Sequence, residues 1–272
     1  MTYEQIRARL RACGIPDAAE EARLLFCHYA GCRREELFAS PHTDCDAEAL
    51  IDAVKRRCAH EPLQYILTEW HFCDLPFSVS PDCLIPRYDT EILVQTAMSR
   101  LPSDAYFADL CTGSGCIAVT LLHRFPGARA LATDISDATC AIAQKNAQRN
   151  GVSDRIRFLR ADFFDGVLPV PDASLDAILA NPPYIPSDVI PTLAPEVQKE
   201  PHRALDGGTD GLDFYRAFLP LYAKYLKPDG FAALEIGYDQ GDALRQISRG
   251  AGFSCEIVRD LDGHDRVALL RQ

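Results

Sequence analysis

The segment "ADLCTGSGCIA" (Ala108–Ala118) has the pattern of a buried strand that turns sharply into a helix. Gly113 and Gly115 let the backbone of the turn approach a ligand, and the helix N-terminus lies beside it. The segment satisfies G-x-G-x-x-A, a pattern of dinucleotide-binding loops, but it also suits a site for S-adenosylmethionine. It therefore predicts a nucleotide-type site at the first strand of an α/β sheet, and the sequence around it must decide which ligand binds.

Strands alternate with helices from about Asp89 to the end of the chain. Strands are predicted over residues 105–110, 128–134, 155–162, 175–180, 231–237, 254–261 and 266–272, and helices over 90–101, 115–125, 138–151, 212–227 and 241–252. This alternation is typical of a mostly parallel sheet with helices on both faces. Only a short DGH turn joins the last two strands, so we expect a terminal antiparallel hairpin.

The chain before Trp70 shows helical patterns and no strand pattern. Helices are predicted over residues 2–13, 16–31 and 46–60, followed by a hairpin in WHFCDLPFSVS (70–80). We therefore divide the chain into a helical bundle at 1–68, a linking hairpin at 69–88 and an α/β domain at 89–272.

The cysteines and the apolar residues are informative about location. Eleven cysteines are scattered without a C-x-x-C pair, which favours reduced thiols and no metal site. The chain starts with a polar, helix-like stretch, and no apolar run approaches the roughly 20 residues of a membrane span. We expect a cytoplasmic protein that does not contact a membrane.

The formal net charge of −11 at pH 7 bears on the substrate. Proteins that bind nucleic acid usually carry basic surfaces, because neutralising phosphates supplies much of their affinity. The acidic balance therefore disfavours nucleic acid as a direct substrate.

Three carboxylates at successive strand ends help to separate the two ligands left open by the glycine loop. Asp109, Asp134 and Asp162 follow one another along the predicted sheet edge. A pyrophosphate would be repelled by them, whereas S-adenosylmethionine carries a positive sulfonium and an ammonium. In this interpretation Asp109 faces the methionine end, Asp134 the ribose and Asp162 the adenine amino group, while Phe163 covers the ring.

The fourth strand of the α/β domain ends in NPPY, residues Asn181, Pro182, Pro183 and Tyr184. Prolines cannot continue a strand ladder, and Pro183 keeps Pro182 extended. The Asn181 side-chain oxygen and a main-chain oxygen of this loop can then accept the two N–H bonds of a planar amino group, which Tyr184 covers with its ring. This geometry suits methylation of a conjugated nitrogen.

Several motifs occur together with this helical N-terminal segment. They are LIPRYDTE (84–91), DLCTGSG (109–115), NPPYIP (181–186), EPHRALDGGTDGLDFYR (200–216) and LEIGYDQG (234–241). Over nearly its whole length the chain resembles the HemK-type glutamine methyltransferases, which modify peptide-chain release factors. NPPY alone is shared with adenine and guanine amino methyltransferases, but the combination with IPR-x-DTE and EP-x-x-AL-x-GG-x-DGL is specific.

The resemblance implies a class I methyltransferase with a Rossmann-like sheet and a small helical domain that recognises the partner. It implies an S-adenosylmethionine-dependent protein-(glutamine-N5) methyltransferase that modifies the glutamine of the Gly-Gly-Gln motif in class I release factors. It places Cys111, Thr112, Gly113, Ser114, Gly115, Asp134, Phe163 and Asn181 at the cofactor. It places Asn181, Pro182, Pro183 and Tyr184 at the glutamine, with Asn181, Pro182 and Tyr184 catalytic.

The sequence departs from the family at Cys111, where glycine is usual, and at Tyr88, where proline is usual. Arg87, Glu200 and Arg203 either shape the substrate pocket or form structural ion pairs, and the sequence leaves both open. The alternative function is a nucleic-acid amino methyltransferase. An NAD-dependent oxidoreductase would leave NPPY unexplained, and a non-catalytic binding protein would leave both motifs without a use.

Overall fold

The computed structural model describes residues 1–39, 44–45 and 47–272. They form two compact units, one made of residues 1–69 with 194–199 and the other of residues 70–193 with 200–272. The sequence predicted consecutive domains and therefore assigned the segment 194–199 to the α/β domain, whereas the structure groups this segment with the helical unit. Asp46, the predicted first residue of the third helix, lies outside the described residues.

The first unit consists of helices. They are α1 (Tyr3–Ala12), α2 (Ala18–Ala30), α3 (Arg34–Ala39), α4 (Glu48–Cys58) and α5 (Leu63–Leu67). The predicted helices over 2–13 and 16–31 are confirmed, and α4 confirms the described part of the third. Helices α3 and α5 were not predicted, because six and five residues are too short to show a helical period.

Arg57 of α4 ties the segment 194–199 to this unit. Its side chain is only 3% exposed and forms an ion pair with Glu21 of α2, and its Nη2 lies 3.6 Å from Oε1 of Glu196. A buried guanidinium needs such partners, because an unpaired buried charge is costly. The core of this small unit therefore includes a loop that is distant in sequence.

The second unit contains a short hairpin and a seven-stranded sheet. The hairpin is β1 (Glu69–Phe72) and β2 (Leu75–Ser78), and the sheet consists of β3 (Tyr106–Leu110), β4 (Arg129–Asp134), β5 (Ile156–Arg160), β6 (Leu175–Ala180), β7 (Leu226–Glu235), β8 (Ser254–Arg259) and β9 (Asp265–Arg271). The strand order is β5-β4-β3-β6-β7-β9-β8. Strand β9 runs antiparallel to both of its neighbours, β7 and β8, while β3 to β7 are all parallel to one another. The predicted α/β class, the hairpin within 70–80 and the terminal antiparallel pair are confirmed, but the hairpin belongs to the second unit and the division at 69–88 stays a prediction.

Helices cover both faces of this sheet. They are α6 (Thr90–Met98), α7 (Cys116–Arg124), α8 (Asp137–Arg149), α9 (Asp213–Tyr222) and α10 (Gly241–Gly250). Alternate residues of each central strand contribute to two separate apolar clusters, one on each face. Phe107 and Leu179 face one cluster, and Ile178 faces the other, which also contains the aromatic residues of α9.

The predicted helix over 212–227 is too long. Helix α9 ends at Tyr222, a short 3₁₀ turn covers Ala223–Tyr225, and β7 already begins at Leu226. The turn is fixed by Tyr225, whose hydroxyl donates to the carbonyl oxygen of Gly166 at 3.2 Å. Leu226 thereby pairs with Leu175 of β6, so tertiary pairing overrides the local helical pattern.

The strand order reverses between β3 and β6, because the chain leaves β5 at one edge and crosses over to the other side of β3. Their register pairs Leu110 with Ala180, so Cys111 and Asn181 follow two adjacent strand ends. Open α/β sheets bind ligands outside the carboxyl ends of strands at such a reversal. The fold therefore brings the glycine loop and NPPY to one place.

Within the described chain, none of the helices combines the length and apolar character that crossing a bilayer requires. Residues 1–39, 44–45 and 47–272 also contain no group of three or more histidine, cysteine or acidic side chains suited to a metal ion.

Candidate active site

The glycine loop follows β3 as a chain of unusual backbone conformations. Cys111, Gly113 and Gly115 have φ angles of 56°, 56° and 81°, in the left-handed region that favours glycine. A Cβ at Gly115 would lie 3.2 Å from the Cβ of Ala143, so this residue also permits close packing of α7 on α8. The amide of Gly113 donates to Oδ2 of Asp134 at 3.1 Å, which ties the loop to the end of β4.

Asp109 supports this loop from behind. It is fully buried, and its Oδ2 accepts hydrogen bonds from the Thr112 hydroxyl at 2.6 Å and the Ala118 amide at 3.3 Å. Burial raises the pKa of this carboxyl to about 7. The structure does not bring Asp109 to the cavity wall. Its hydrogen bonds hold the loop from behind, and a direct contact with the methionine end stays a prediction.

A cavity of about 400 Å³ lies over the strand ends. Nine of the predicted site residues line it, namely Cys111, Thr112, Gly113, Ser114, Asp134, Asp162, Phe163, Asn181 and Pro183. Asp109, Gly115, Pro182 and Tyr184 are not part of the wall. This volume is in the range of small-ligand sites.

The charged side chains of the cavity wall are mostly acidic. Among the described residues that line it are five carboxylates and one guanidinium: Asp82, Asp134, Asp162, Asp206, Asp213 and Arg203. Burial raises the pKa of Asp134, while amide hydrogen bonds from Ser136 and Gly113 and the charge of Arg203 lower it. Such a wall favours a cationic ligand over a pyrophosphate.

Aromatic rings form the cavity wall beyond β5. Phe163 stacks on Phe214 of α9, with ring centroids 3.9 Å apart and planes inclined by 24°, and on Tyr222 at 4.9 Å. Asp162 precedes it as the cap of a 3₁₀ turn, with Oδ1 accepting from the Phe164 amide at 2.9 Å. One carboxylate oxygen of Asp162 therefore has a structural role, and Phe163 is held by its neighbours.

The amide of Asn181 has a defined partner. Its Nδ2 donates to the hydroxyl oxygen of Thr90, the first residue of α6, at 3.1 Å. This assignment leaves Oδ1 as an acceptor for a donor in the cavity. The role that the sequence predicted for the Asn181 oxygen, as acceptor of a substrate N–H, stays a prediction.

Tyr184 is held at both its main chain and its hydroxyl. Its carbonyl oxygen accepts from Nε2 of Gln240 at 3.0 Å, and its hydroxyl donates to Oε1 of Glu235 at 3.3 Å. Two glycines make room for it: a Cβ at Gly207 would lie 2.7 Å from the Tyr184 Cα, and one at Gly211 would lie 2.2 Å from the Tyr184 oxygen. The DGGTDG motif therefore packs directly against NPPY.

Three charged residues that the sequence left undecided have distinct places. Arg87 forms an ion pair with Glu200, whose Oε2 also accepts from the Ile85 amide at 3.0 Å. Glu200 is only 5% exposed, and burial raises its pKa while Arg87 lowers it. This pair holds the IPR segment in place. Arg203, in contrast, lines the cavity near Asp134.

Sequence reasoning missed several residues of the site. Thr90, Phe214, Asp82 and Ile135 line the cavity, and Glu235 lies behind it. Thr90 and Glu235 occur in quoted motifs, IPR-x-DTE and LEIG, but no short-range spacing connects them with Asn181. Ile135, 45% exposed directly after Asp134, was a detectable signal, because an exposed apolar residue at a strand end often contacts a ligand.

Comparisons with known proteins extend this description. The PrmC N-terminal domain family matches residues 2–67, and a methyltransferase domain family matches residues 107–200. A release factor glutamine methyltransferase of Moorella thermoacetica is 42% identical over 268 residues, covering 96% of this chain and 94% of the relative. One from Geobacter sulfurreducens is 40% identical and covers 96% and 92%.

This chain belongs to the release factor glutamine methyltransferase family. The resemblance predicted from the sequence motifs is thereby confirmed. Both the helical unit and the cavity-bearing domain match, so the relationship extends beyond the widespread NPPY motif. In this family member, the methyltransferase domain match begins in β3 and ends at Glu200, so it spans the glycine loop and NPPY.

Two solved structures resemble the fold of this chain. The catalytic domain of hMettl16, determined in complex with the MAT2A 3′UTR hairpin 1, has a TM-score of 0.60 at 17% identity, covering 81% of this chain and 80% of that one. A methyltransferase from Pyrococcus furiosus has a TM-score of 0.55 at 18% identity, covering 73% and 89%. At these identities the likeness concerns the class I methyltransferase fold alone.

Proposed function

We propose that this protein transfers a methyl group from S-adenosylmethionine to the side-chain amide nitrogen of the glutamine in the Gly-Gly-Gln motif of class I release factors. The observation that carries the proposal is the Asn181 amide, whose Nδ2 is engaged by Thr90 and whose Oδ1 can accept from a substrate. Family membership supports release factors as the substrate. The site works in the cytoplasm, where release factors act.

The cavity fits S-adenosylmethionine on chemical grounds. Asp134 and Asp162 would hold the ribose and the adenine amino group, Phe163 would cover the ring, and the loop Cys111–Gly115 would accommodate the methionine part. The surplus of carboxylates in the wall suits the cationic donor. When bound, S-adenosylmethionine supplies a methyl group on a positively charged sulfur.

The residues of NPPY address a chemical difficulty of the reaction. An amide nitrogen is a poor nucleophile, because its lone pair is delocalised into the carbonyl group. As the nitrogen–carbon bond forms and the carbon–sulfur bond breaks, the electron pair stays on sulfur and the nitrogen becomes positive. Its N–H groups then donate more strongly to Asn181 Oδ1 and to the Pro182 carbonyl, so these acceptors stabilise the transition state more than the ground state.

The proton leaves after methyl transfer. The methylated nitrogen is cationic and therefore acidic, so it can release its proton to water without a base poised beforehand. Tyr184 provides an apolar surface for the planar amide, and Pro182 and Pro183 keep the loop extended. Positioning by these groups supplies part of the roughly 7–11 kcal/mol that alignment of reactants can contribute.

The helical unit, residues 1–68, is proposed to recognise the release factor, and residues 89–272 to perform the transfer. A nucleic-acid amino methyltransferase is the alternative, because NPPY chemistry also suits adenine and guanine. The net charge of −11 argues against it. An NAD-dependent enzyme is disfavoured by the five carboxylates of the cavity wall.

Labelled S-adenosylmethionine tests the proposal directly. The protein is incubated with a class I release factor, with the same factor carrying alanine in place of the motif glutamine, and with DNA and RNA. We expect label only in the release factor that retains the motif glutamine, and mass spectrometry should locate one methyl group on that glutamine. Transfer only to nucleic acid would refute the proposal.

A further inference from the structure

A buried row of polar side chains lies behind Asn181. Nδ2 of Asn181 donates to Oγ1 of Thr90 at 3.1 Å, and the Thr90 hydroxyl in turn lowers the pKa of the Glu235 carboxyl. Thr90 and Glu235 are each only 1% exposed. Thr90 is the first residue of α6, Glu235 is the last residue of β7, and Asn181 directly follows β6. The row therefore joins three separate elements.

Glu235 is a costly residue to place in this position. Oε1 accepts from the Tyr184 hydroxyl at 3.3 Å, while Oε2 is buried with no partner at hydrogen-bond distance among the described residues. A buried carboxylate without a full set of partners is destabilising. Stability alone therefore does not account for it, and strained polar groups of this kind often occur next to functional sites.

We propose that Thr90 and Glu235 are positioning residues that hold the Asn181 amide in its reactive orientation. The inference rests on the proposed function. A threonine hydroxyl has one hydrogen, and if Glu235 accepts it, the Thr90 oxygen can only accept from Asn181. Nδ2 of Asn181 must then face Thr90, and Oδ1 must face the substrate. The oxygen and NH2 ends of an amide have nearly the same shape. Without this constraint the Asn181 amide could therefore turn over, which would exchange the positions of Oδ1 and Nδ2.

The protonation state of Glu235 sets the direction of this row. Burial and Asp89 raise the pKa of its carboxyl, and Thr90, Arg266 and Tyr184 lower it, with a net value of about 7. Cys116 of α7 and Tyr215 of α9 also interact with Glu235, but burial raises the pKa of each, so both stay uncharged over this range. A protonated Glu235 would donate to Thr90, and the Thr90 hydrogen would then point at Asn181. The Thr90 hydrogen would compete with the substrate for Oδ1 of Asn181. The Asn181 amide therefore keeps its reactive orientation above the pKa of Glu235 and loses it below that pKa.

Substitutions at Thr90 test the row by separating shape from hydrogen bonding. Thr90→Val keeps the shape and loses the hydroxyl, while Thr90→Ser keeps the hydroxyl. Thr96→Val is the matched control, because Thr96 is also buried on α6 but does not line the cavity. For each protein, kcat and KM for the release factor are measured with saturating S-adenosylmethionine, together with S-adenosylhomocysteine affinity and thermal unfolding.

We expect Thr90→Val to lower kcat by about 10- to 100-fold, since small misplacements of a reacting group cost up to about 10²-fold. KM, product affinity and unfolding should change little, and Thr90→Ser and Thr96→Val should retain most of the activity. A Thr90→Val enzyme within twofold of the wild-type kcat would overturn the proposal. Absence of transfer by the wild-type enzyme would instead refute the proposed function.

A pH profile separates positioning from a structural role. Wild-type kcat should fall as the pH is lowered through about 7, because Glu235 becomes protonated. In Glu235→Gln this acid limb should disappear, whereas it should persist in Thr96→Val. An unchanged acid limb in a folded Glu235→Gln enzyme would contradict the assigned role. If that variant does not fold, the Thr90 series decides alone.

Discussion

Replacing Asn181 by alanine removes the acceptor on which the proposed chemistry depends. The side chain is half-buried, and the structure shows one hydrogen bond made by its Nδ2, to Thr90 at 3.1 Å. Loss of that bond should cost about 1 kcal/mol of unfolding free energy. The fold should therefore persist, and the effect should appear in catalysis.

The size of the catalytic effect follows from the lost hydrogen bond to the developing cation. Hydrogen bonds to charged groups contribute about 1.5–3 kcal/mol. With 1.36 kcal/mol for each tenfold change in rate, this corresponds to about 13- to 160-fold in kcat. Loss of alignment of the glutamine amide adds to this figure, so we expect a decrease of about 10²-fold or more.

The assay compares initial rates of methyl transfer to a release factor with saturating S-adenosylmethionine. Asn150→Ala is the control, because Asn150 is also half-buried and its Nδ2 donates to the carbonyl oxygens of Pro76 and Asn146, both at 3.0 Å. That variant should lose comparable stability but keep its kcat. Near-normal turnover by Asn181→Ala would refute the acceptor argument.

Two further predictions concern the glycine loop. Gly115→Ala should destabilise the fold by about 1–3 kcal/mol, because φ is 81° and the new Cβ would lie 3.2 Å from Ala143. Gly151→Ala is the control, since φ there is 70° but nothing lies within 4 Å of the new Cβ. Denaturant unfolding should show a smaller loss of unfolding free energy for the control, and equal losses would contradict the prediction. Burial raises the pKa of Asp109 from 3.8 to about 7. The folded protein therefore holds this proton more tightly, and the associated stability is present below about pH 4 and is lost as the pH rises to about 7. Asp109→Asn should flatten this decline in unfolding free energy, and an unchanged slope would contradict the shift.

The sequence was sufficient for the fold where local patterns are long. Alternating strands and helices after Asp89 predicted the parallel sheet, and the DGH turn predicted the antiparallel pair. The predicted end of α9 was wrong because Leu226 pairs with Leu175, a contact between residues far apart in sequence. Short helices such as Leu63–Leu67 were missed because five residues do not show a period.

The site was predictable in its chemistry but only partly in its geometry. Asn181, Asp134 and Phe163 were inferred from strand ends and do line one cavity. Asp109 looked like a wall residue from its position, yet its buried side chain points to the loop behind the cavity. Thr90 could not be placed, because its contact with Asn181 depends on packing between α6 and β6.

Cys111 shows how the backbone explains a departure from the family pattern. Its φ of 56° is a conformation that glycine adopts without steric cost. Glycine is therefore the expected residue there, and the cysteine is accommodated with strain of order 1 kcal/mol. Its burial raises the pKa of the thiol far above the ordinary value, so the side chain acts as a small apolar group in the wall.

The acceptors of the proposed site are neutral although the cavity wall is acidic, and this difference has a physical reason. A carboxylate at position 181 would accept hydrogen bonds more strongly than an amide. It would also attract the positive sulfur before reaction and so stabilise the ground state as well as the transition state, which does not increase kcat. The Asn181 amide and the Pro182 carbonyl carry no net charge, so their interaction grows mainly as charge moves onto the substrate nitrogen. In the proposed reaction the aspartates would bind the cofactor, while the two neutral oxygens would favour the transfer step.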